Sequence, residues 1–250
     1  MAQTAWDPNN ISYLPSKKKQ RKARKEYQQR QQDMKIKNFY PITGNQQLVF
    51  DHYDKDKHLI LHGVAGTGKT FVSLYLALSD VMDHIDGLET VTIVRSVVPS
   101  RDMGFLPGDK QEKESVYEAP YISICAELFG RSDAYETLKQ RGAIEFISTS
   151  HIRGITLSNT IVIVDETQNL NFGELDTIIT RLGENCRIML CGDYRQTDFS
   201  TNKERGGLKK FLDICSEMKE FDRVEFVEKD IVRSPFVRSY LISKLKAGIV

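Results

Sequence analysis

The chain alternates between short apolar runs and longer stretches whose apolar positions recur every three or four residues. Short runs rich in branched residues predict buried strands, and the longer spacing predicts helices that pack on a sheet. Strands are predicted at 59–62, 91–95, 143–148, 161–164, 187–191 and 223–226. Helices are predicted at 45–53, 70–82, 115–129, 134–140, 172–181, 207–220 and 234–246. Compact structure is expected to begin near Phe39.

Strands that alternate with helices are typical of a mostly parallel sheet with helices on both faces. The fold class predicted for residues 38–250 is therefore a single α/β domain. Residues 1–37 are predicted to form a separate N-terminal arm, either flexible or partly helical.

The bulk composition, 40% hydrophobic and 28% charged, is typical of a globular protein. No run approaches the ~18 apolar residues of a membrane span, and the N-terminus lacks the apolar core of a signal peptide. The four cysteines form no C-x-x-C pair, so reduced thiols are expected rather than a zinc site. These observations predict a cytoplasmic protein without membrane contact.

The charge is distributed unevenly along the chain. Residues 16–37 contain ten Lys or Arg and two acidic residues, a net charge of +8. Because the whole chain carries +1 and Asp7 is the only charge before this segment, residues 38–250 carry −6. Such an arm is either a solubilising tail or a nonspecific contact to nucleic-acid phosphate. The arm residues predicted to bind nucleic acid are Lys17, Lys18, Lys19, Arg21, Lys22, Arg24 and Lys25.

The segment Gly-Val-Ala-Gly-Thr-Gly-Lys-Thr at 63–70 matches the phosphate-binding loop G-x-x-x-x-G-K-[ST]. An apolar strand precedes it and a helical pattern follows, which is the geometry of an anion site at a helix N-terminus. Lys69 is expected to neutralise the β- and γ-phosphates, and the Thr70 hydroxyl to bind Mg²⁺. The predicted nucleotide-binding residues are Gly63, Val64, Ala65, Gly66, Thr67, Gly68, Lys69, Thr70 and Phe71.

Two further strands end in polar residues that suit the chemistry of a triphosphate. Asp165 follows the branched run at 161–164, where it can hold Mg²⁺ opposite Thr70. Glu166 is then placed to polarise a water molecule for attack on the γ-phosphate. Gln196 follows the strand at 187–191 and suits a sensor of that phosphate, since its amide both donates and accepts.

With these motifs in place, the sequence resembles the PhoH-like ATPases, which are related to the first ATPase domain of superfamily-one helicases. The resemblance runs from about residue 45 to residue 240. The most specific segments are Gly104-Phe105-Leu106-Pro107-Gly108-Asp109, Ile152-Arg153-Gly154, Asp165-Glu166-Thr167-Gln168-Asn169 and Asp230-Ile231-Val232-Arg233-Ser234-Pro235. Ser96 and Ile155 depart from the family pattern, which has proline and arginine there.

The resemblance implies ATP hydrolysis, a RecA-like fold, assembly into an oligomer and a role in RNA metabolism. It also implies that Gln46 binds the adenine edge, although a polar residue at a helix start is an equally good explanation. Gln47 is adjacent, and only the family register distinguishes the two glutamines.

Several arginines are candidates for contacts to phosphate. Arg95, Arg153 and Arg181 lie at or near element ends, where a guanidinium meets phosphate in a bidentate way. Arg95 and Arg153 are also candidates for nucleic-acid contacts. Arg233, with Arg238 as the second choice, is predicted to act as an arginine finger supplied by a neighbouring subunit.

Two functions fit these observations. One is a Mg²⁺-dependent ATPase that acts on single-stranded RNA or DNA as a homo-oligomer, and the other is a regulatory ATPase switch that binds a protein partner. A GTPase is less well supported, because Asn202-Lys203-Glu204-Arg205 fails the guanine-binding pattern Asn-Lys-x-Asp. A metabolite kinase would not need Glu166.

Overall fold

A computed structural model describes residues 34–97, 110–194 and 202–248 of the chain. The strands are β1 (His58–Gly63), β2 (Thr90–Arg95), β3 (Ile144–Ser148), β4 (Thr160–Val164), β5 (Cys186–Gly192) and β6 (Phe221–Phe226). The helices are α1 (Gly44–Tyr53), α2 (Lys69–Met82), α3 (Lys110–Phe129), α4 (Ala134–Gln140), α5 (Phe172–Ile179), α6 (Asn202–Glu217) and α7 (Pro235–Lys246).

The six strands form one parallel sheet in the order β3-β2-β4-β5-β1-β6. Between consecutive strands the chain returns through helices or loops, so every strand ends at the same edge of the sheet. One strand, β5, separates the loop-bearing β1 from β4, which leads into the Asp-Glu pair. The predicted fold class, an α/β domain built on a parallel sheet, is therefore confirmed.

Helices cover both faces of the sheet because alternate residues of its buried strands point in opposite directions. Val164 and Leu190 are register partners on one face, where they share a buried apolar core with Phe211 of α6. On the opposite face the Cys191 Sγ lies 3.2 Å from the Ser73 Oγ of α2. Both faces are thus buried, as the nearly continuous apolar character of β4 and β5 requires.

The element boundaries differ from the predicted ones mainly at helix ends. The predicted bounds of α4 are confirmed, whereas α5 ends at Ile179, two residues earlier than predicted. The early end of α6 has a local cause, because Phe221 N–H bonds to the Met218 carbonyl and turns the chain directly into β6. Within the described ranges, no helix has both the length and the apolar character needed to cross a membrane.

The end of β1 lies unusually close to β6. Gly63 has a φ of +119°, and a Cβ placed on it would lie 2.0 Å from the Phe226 carbonyl oxygen. The next residue, Val64, donates its N–H to that same carbonyl at 3.0 Å. Only glycine fits here, so the start of the phosphate-binding loop is fixed against its neighbouring strand.

Candidate nucleotide-binding site

The loop after β1 leads directly into α2. Gly68 is the N-cap of this helix and adopts the left-handed conformation, with a φ of 86°. The Thr67 hydroxyl donates to the Val64 carbonyl at 2.9 Å, which closes the loop on itself. The free N–H groups and the positive end of the α2 dipole therefore face the pocket at the strand ends, where an anion is favoured.

Lys69 is the cation of this loop. Its Nζ donates to the carbonyl oxygens of Gly63 and Val64, both at 2.9 Å. Burial lowers the pKa of Lys69, and the acidic groups around it, which include Asp193 and Glu166, oppose that shift. Phosphate oxygens are charged and form stronger hydrogen bonds than carbonyls, so a polyphosphate can draw the same N–H donors to itself.

The two predicted magnesium ligands lie side by side. The Thr70 hydroxyl donates to the Asp165 Oδ1 at 2.9 Å, although the two residues are 95 positions apart. Asp165 is only 6% exposed. Burial raises the pKa of Asp165, as does the charge of Glu166, whereas hydrogen bonds from Thr70 and Tyr121 lower it.

This pair fits Mg²⁺ in particular. Among the described residues there is no group of three or more His, Cys, Asp or Glu side chains that could hold a metal ion. Mg²⁺ does not require such a cage, because it keeps several water molecules and takes its other oxygens from phosphate groups. One hydroxyl and one carboxylate beside a phosphate-binding loop are therefore a suitable protein contribution.

Glu166 is held in a fixed position beside this pair. Its backbone is left-handed, with a φ of 53° and a ψ of 44°, which is uncommon for a residue with a side chain. Gln168 donates its Nε2 to the Glu166 carboxylate and accepts the Asp193 N–H on its Oε1 at 3.1 Å. Gln168, which sequence reasoning noted only within a motif, therefore couples the ends of β4 and β5.

The expected sensor residue, Gln196, belongs to 195–201, outside the described residues, so its role stays a prediction. The strand before it is closely packed: a Cβ on Gly192 would lie 2.3 Å from the Thr167 Oγ1. Thr167 in turn donates to the Cys191 carbonyl at 3.0 Å. This packing fixes the chain immediately before the segment that contains Gln196.

These groups surround a cavity of about 700 Å³. Its lining includes most of the predicted site residues: Gln46, Ala65, Gly66, Gly68, Lys69, Thr70, Phe71, Arg95, Asp165, Glu166 and Arg233. Gly63, Val64 and Thr67 are buried beneath the loop instead. The volume lies within the range of small-molecule sites, which is about 300–1,000 Å³.

One end of the cavity is apolar and aromatic. Phe39 and Ile42 line it together with Phe71, and the rings of Phe39 and Phe71 pack edge to face at 4.9 Å. The sequence predicts that compact structure begins near Phe39, but it does not indicate that Phe39 belongs to a site. Aromatic and apolar side chains next to a phosphate-binding loop suit a nucleobase.

The structure distinguishes the two adjacent glutamines. Gln46 is buried, with its Oε1 accepting the Ile42 N–H at 2.8 Å and its Nε2 donating to the Thr67 carbonyl at 3.1 Å. Gln47 is exposed and donates to Asp51. Gln46 therefore fastens the segment at Ile42 to the phosphate-binding loop. Each polar atom of its amide can form one more hydrogen bond, so adenine recognition stays a prediction.

Arg95 lies at the end of β2 and lines the cavity instead of an outer surface. Burial by itself lowers the pKa of Arg95, but electrostatic interactions with Tyr121 and Asp165 raise it overall. Of its two predicted roles, this position favours a phosphate contact over a nucleic-acid contact.

Arg233 also lines the nucleotide cavity of its own chain. A Cβ on Gly66 would lie 3.0 Å from the Arg233 Cγ and 3.4 Å from its Nε. The neighbouring Val232 donates its N–H to the Gly66 carbonyl at 3.0 Å. This geometry does not support the prediction that Arg233 serves a neighbouring subunit, because the side chain already lies against the loop of its own chain.

The remaining candidate arginines do not line the cavity within the described part of the chain. Arg153 is exposed in the loop after β3, and Arg238 is exposed on α7. Arg181 follows α5 and precedes β5, so it lies at the edge of the sheet opposite the pocket. Arg181 therefore does not contribute to this cavity, and its contact to phosphate stays a prediction.

Replacing Gln46 by Ala should weaken nucleotide binding by roughly tenfold, because the Ile42 N–H and the buried Thr67 carbonyl lose their partners. Gln47→Ala is the matched control, since it removes the same group from the exposed neighbouring position. Titration with a fluorescent nucleotide measures both dissociation constants. Equal affinities for the two variants would show that the buried amide does not hold the loop.

Comparison with known proteins identifies the family of the chain. A sequence model of the family described as PhoH-like protein matches residues 38–243. A PhoH-like protein of Synechocystis sp. is 33% identical over 177 residues, covering 70% of this chain and 53% of that protein. A PhoH-like protein of Bacillus subtilis is 34% identical over 181 residues, covering 70% and 54% respectively. The chain thus spans about half the length of the curated relatives it matches.

Among solved structures, the large terminase of a thermophilic bacteriophage aligns with 80% of this chain and 50% of that one. Its TM-score is 0.47 at 14% identity, a likeness too low to support any inference. The relatives and the family match are sufficient by themselves: the chain belongs to the PhoH-like protein family.

Proposed function

We propose that this chain hydrolyses ATP in a Mg²⁺-dependent reaction and couples that reaction to binding of single-stranded nucleic acid. RNA is the preferred candidate for that nucleic acid. The observation that carries the proposal is the 2.9 Å hydrogen bond from Thr70 to Asp165. It brings the phosphate-binding loop and the Asp-Glu pair into one pocket, so that groups for binding, metal coordination and water activation lie together.

Binding of the nucleotide follows from the shape of the pocket. The phosphates would lie against the N–H groups at the start of α2 and the Lys69 ammonium. The base would lie at the aromatic end, beside Phe39 and Phe71. Mg²⁺, bound by Thr70 and Asp165 with the phosphates, supplies the positive charge that offsets charge developing on the phosphate oxygens.

Hydrolysis needs a base for the attacking water, and we assign this role to Glu166, which lines the cavity directly after Asp165. The hydrogen bond from Gln168 occupies one carboxylate oxygen and fixes the orientation of the other. The charge that develops on the departing phosphoryl group would be stabilised by Arg95 and Arg233, which line the same cavity. A single chain therefore contributes all the charged groups that this reaction needs.

The nucleic-acid part of the proposal is supported by charge. The +8 segment at residues 16–37 suits phosphate binding, and Arg153 is exposed in the loop after β3. Assembly into an oligomer is supported by apolar side chains on α7, where Phe236 is 82% and Tyr240 is 62% exposed. The alternative is a regulatory ATPase whose hydrolysis responds to a protein partner instead of nucleic acid.

Glu166→Gln should lower kcat for ATP hydrolysis by roughly 10²- to 10⁴-fold, because it removes the base while keeping the shape of the side chain. Nucleotide affinity should be retained, whereas Lys69→Ala should lower that affinity as well. Glu174→Gln is the control, since Glu174 caps α5 away from the cavity. Phosphate release and fluorescent-nucleotide titration give the two readouts. Wild-type turnover in Glu166→Gln would rule out Glu166 as the base.

Mixing Arg233→Ala chains with Glu166→Gln chains should restore no activity beyond the sum of the two variants. Each variant chain lacks one group of its own pocket, and the Arg233 side chain lies against Gly66 of the same chain. Steady-state hydrolysis at several mixing ratios is the measurement. Recovery of ATPase activity at intermediate ratios would show that Arg233 acts as an arginine finger in the site of a neighbouring subunit.

Single-stranded RNA or DNA should raise the ATPase rate of the full chain, with a steep loss as salt increases. Replacing Lys17, Lys18 and Lys19 by Gln should reduce this effect and lower the salt slope by about two. The control replaces the exposed Lys209, Lys210 and Lys219 by Gln, which changes the net charge equally. A rate indifferent to both nucleic acids favours the regulatory switch. Equal effects of the two triple variants would exclude a specific role of the arm.

A further inference from the structure

The buried helix face nearest the magnesium ligands contains a tyrosine that the proposed reaction does not use. Tyr121 of α3 is fully buried, and its ring packs near Phe146 of β3. Its hydroxyl donates to the Asp165 Oδ2 at 2.9 Å. A polar group buried this completely is costly unless it is hydrogen-bonded, and here its acceptor is the carboxylate that faces the metal site.

The two oxygens of Asp165 therefore accept hydrogen bonds from two different elements. Thr70 donates to Oδ1 from the phosphate-binding loop, and Tyr121 donates to Oδ2 from α3. Two donors on two oxygens fix the plane of the carboxylate, which a single donor leaves free to rotate. The contact from Tyr121 thus determines which direction the remaining lone pairs of Asp165 face.

Arg95 strengthens this contact. Its guanidinium lies close enough to Tyr121 and Asp165 to interact electrostatically with both side chains. A donor polarised by a neighbouring cation binds its acceptor more strongly.

We propose that Tyr121 is a positioning residue that orients the Asp165 carboxylate for binding of Mg²⁺ with the nucleotide. The inference rests on the proposed function, since it assigns Tyr121 to the same metal site. Residues that hydrogen-bond to metal ligands typically change metal affinity by roughly 10- to 100-fold when they are removed. Sequence reasoning missed Tyr121, because a lone tyrosine in a helix gives no signal that separates this role from core packing.

A second buried tyrosine on the neighbouring helix provides a matched control. Tyr135 of α4 donates to the Glu118 Oε2 at 2.6 Å, and Lys139 donates to the same oxygen at 2.8 Å. Tyr121→Phe removes the hydroxyl that donates to the Asp165 carboxylate. Tyr135→Phe likewise removes a buried hydroxyl that donates to a carboxylate, that of Glu118 on α3. Neither Tyr135 nor Glu118 lines the described cavity, so the two variants differ in whether the lost hydrogen bond belongs to the metal site.

The experiment titrates the wild type, Tyr121→Phe and Tyr135→Phe with a fluorescent ADP derivative, once with Mg²⁺ and once with EDTA. The ratio of the two dissociation constants is the readout, since it is independent of how much protein is folded. Tyr121→Phe should lower the advantage given by Mg²⁺ by roughly tenfold or more and leave the EDTA value within about twofold. Tyr135→Phe should leave both values unchanged. Titration of each ADP complex with Mn²⁺, followed by electron paramagnetic resonance, measures metal affinity directly.

The outcomes separate the two proposals. If Mg²⁺ does not raise the nucleotide affinity of the wild type, the site does not bind Mg²⁺ with the nucleotide. That result would contradict both the proposed function and the role of Tyr121. If Mg²⁺ raises the nucleotide affinity of the wild type and of Tyr121→Phe equally, only the inference about Tyr121 is overturned. An equal loss in Tyr121→Phe and Tyr135→Phe also overturns it, because a general loosening of α3 then explains both. Loss confined to Tyr121→Phe, in nucleotide and Mn²⁺ binding alike, supports it.

Discussion

The hydrogen bond between the Thr70 hydroxyl and the Asp165 carboxylate is the contact on which the rest of the site depends. It exists only because β1 and β4 end at the same edge of the sheet, with β5 between them. A parallel sheet gives every strand this common edge, and the crossover connections let residues far apart in sequence meet there. The same edge places Glu166 and Lys69 at one cavity wall.

Around this contact, buried polar side chains hold the backbone of the site in place. Gln46 joins the segment at Ile42 to the phosphate-binding loop, and Gln168 joins the ends of β4 and β5. Tyr121 adds a third link, from α3 to Asp165. Leaving any of these groups without a partner costs about 1–3 kcal/mol, so each link also restricts the movement of the segments it joins. A site restricted in this way is preorganised for a charged ligand.

The arginines show where sequence reasoning reaches its limit. Arg95 at the end of β2 and Arg233 before α7 belong to segments that the sequence marks as functional. The sequence does not show in which direction either guanidinium points. Packing places Arg95 beside Asp165 and Arg233 against Gly66, whereas Arg181 lies at the opposite edge of the sheet. The same holds for Gln46 and Gln47, since a shift of one residue along α1 changes a buried amide into an exposed one.

The sequence by itself determined the α/β class, the positions of the strands, the phosphate-binding loop and the Asp-Glu pair. These features depend on local rules: apolar periodicity, glycine backbone freedom and polar residues at strand ends. Tertiary structure alone decided the strand order, the pairing of Thr70 with Asp165, the choice of Gln46 and the contact from Tyr121. Those are contacts between distant segments, and their existence depends on packing directions that a linear pattern does not contain.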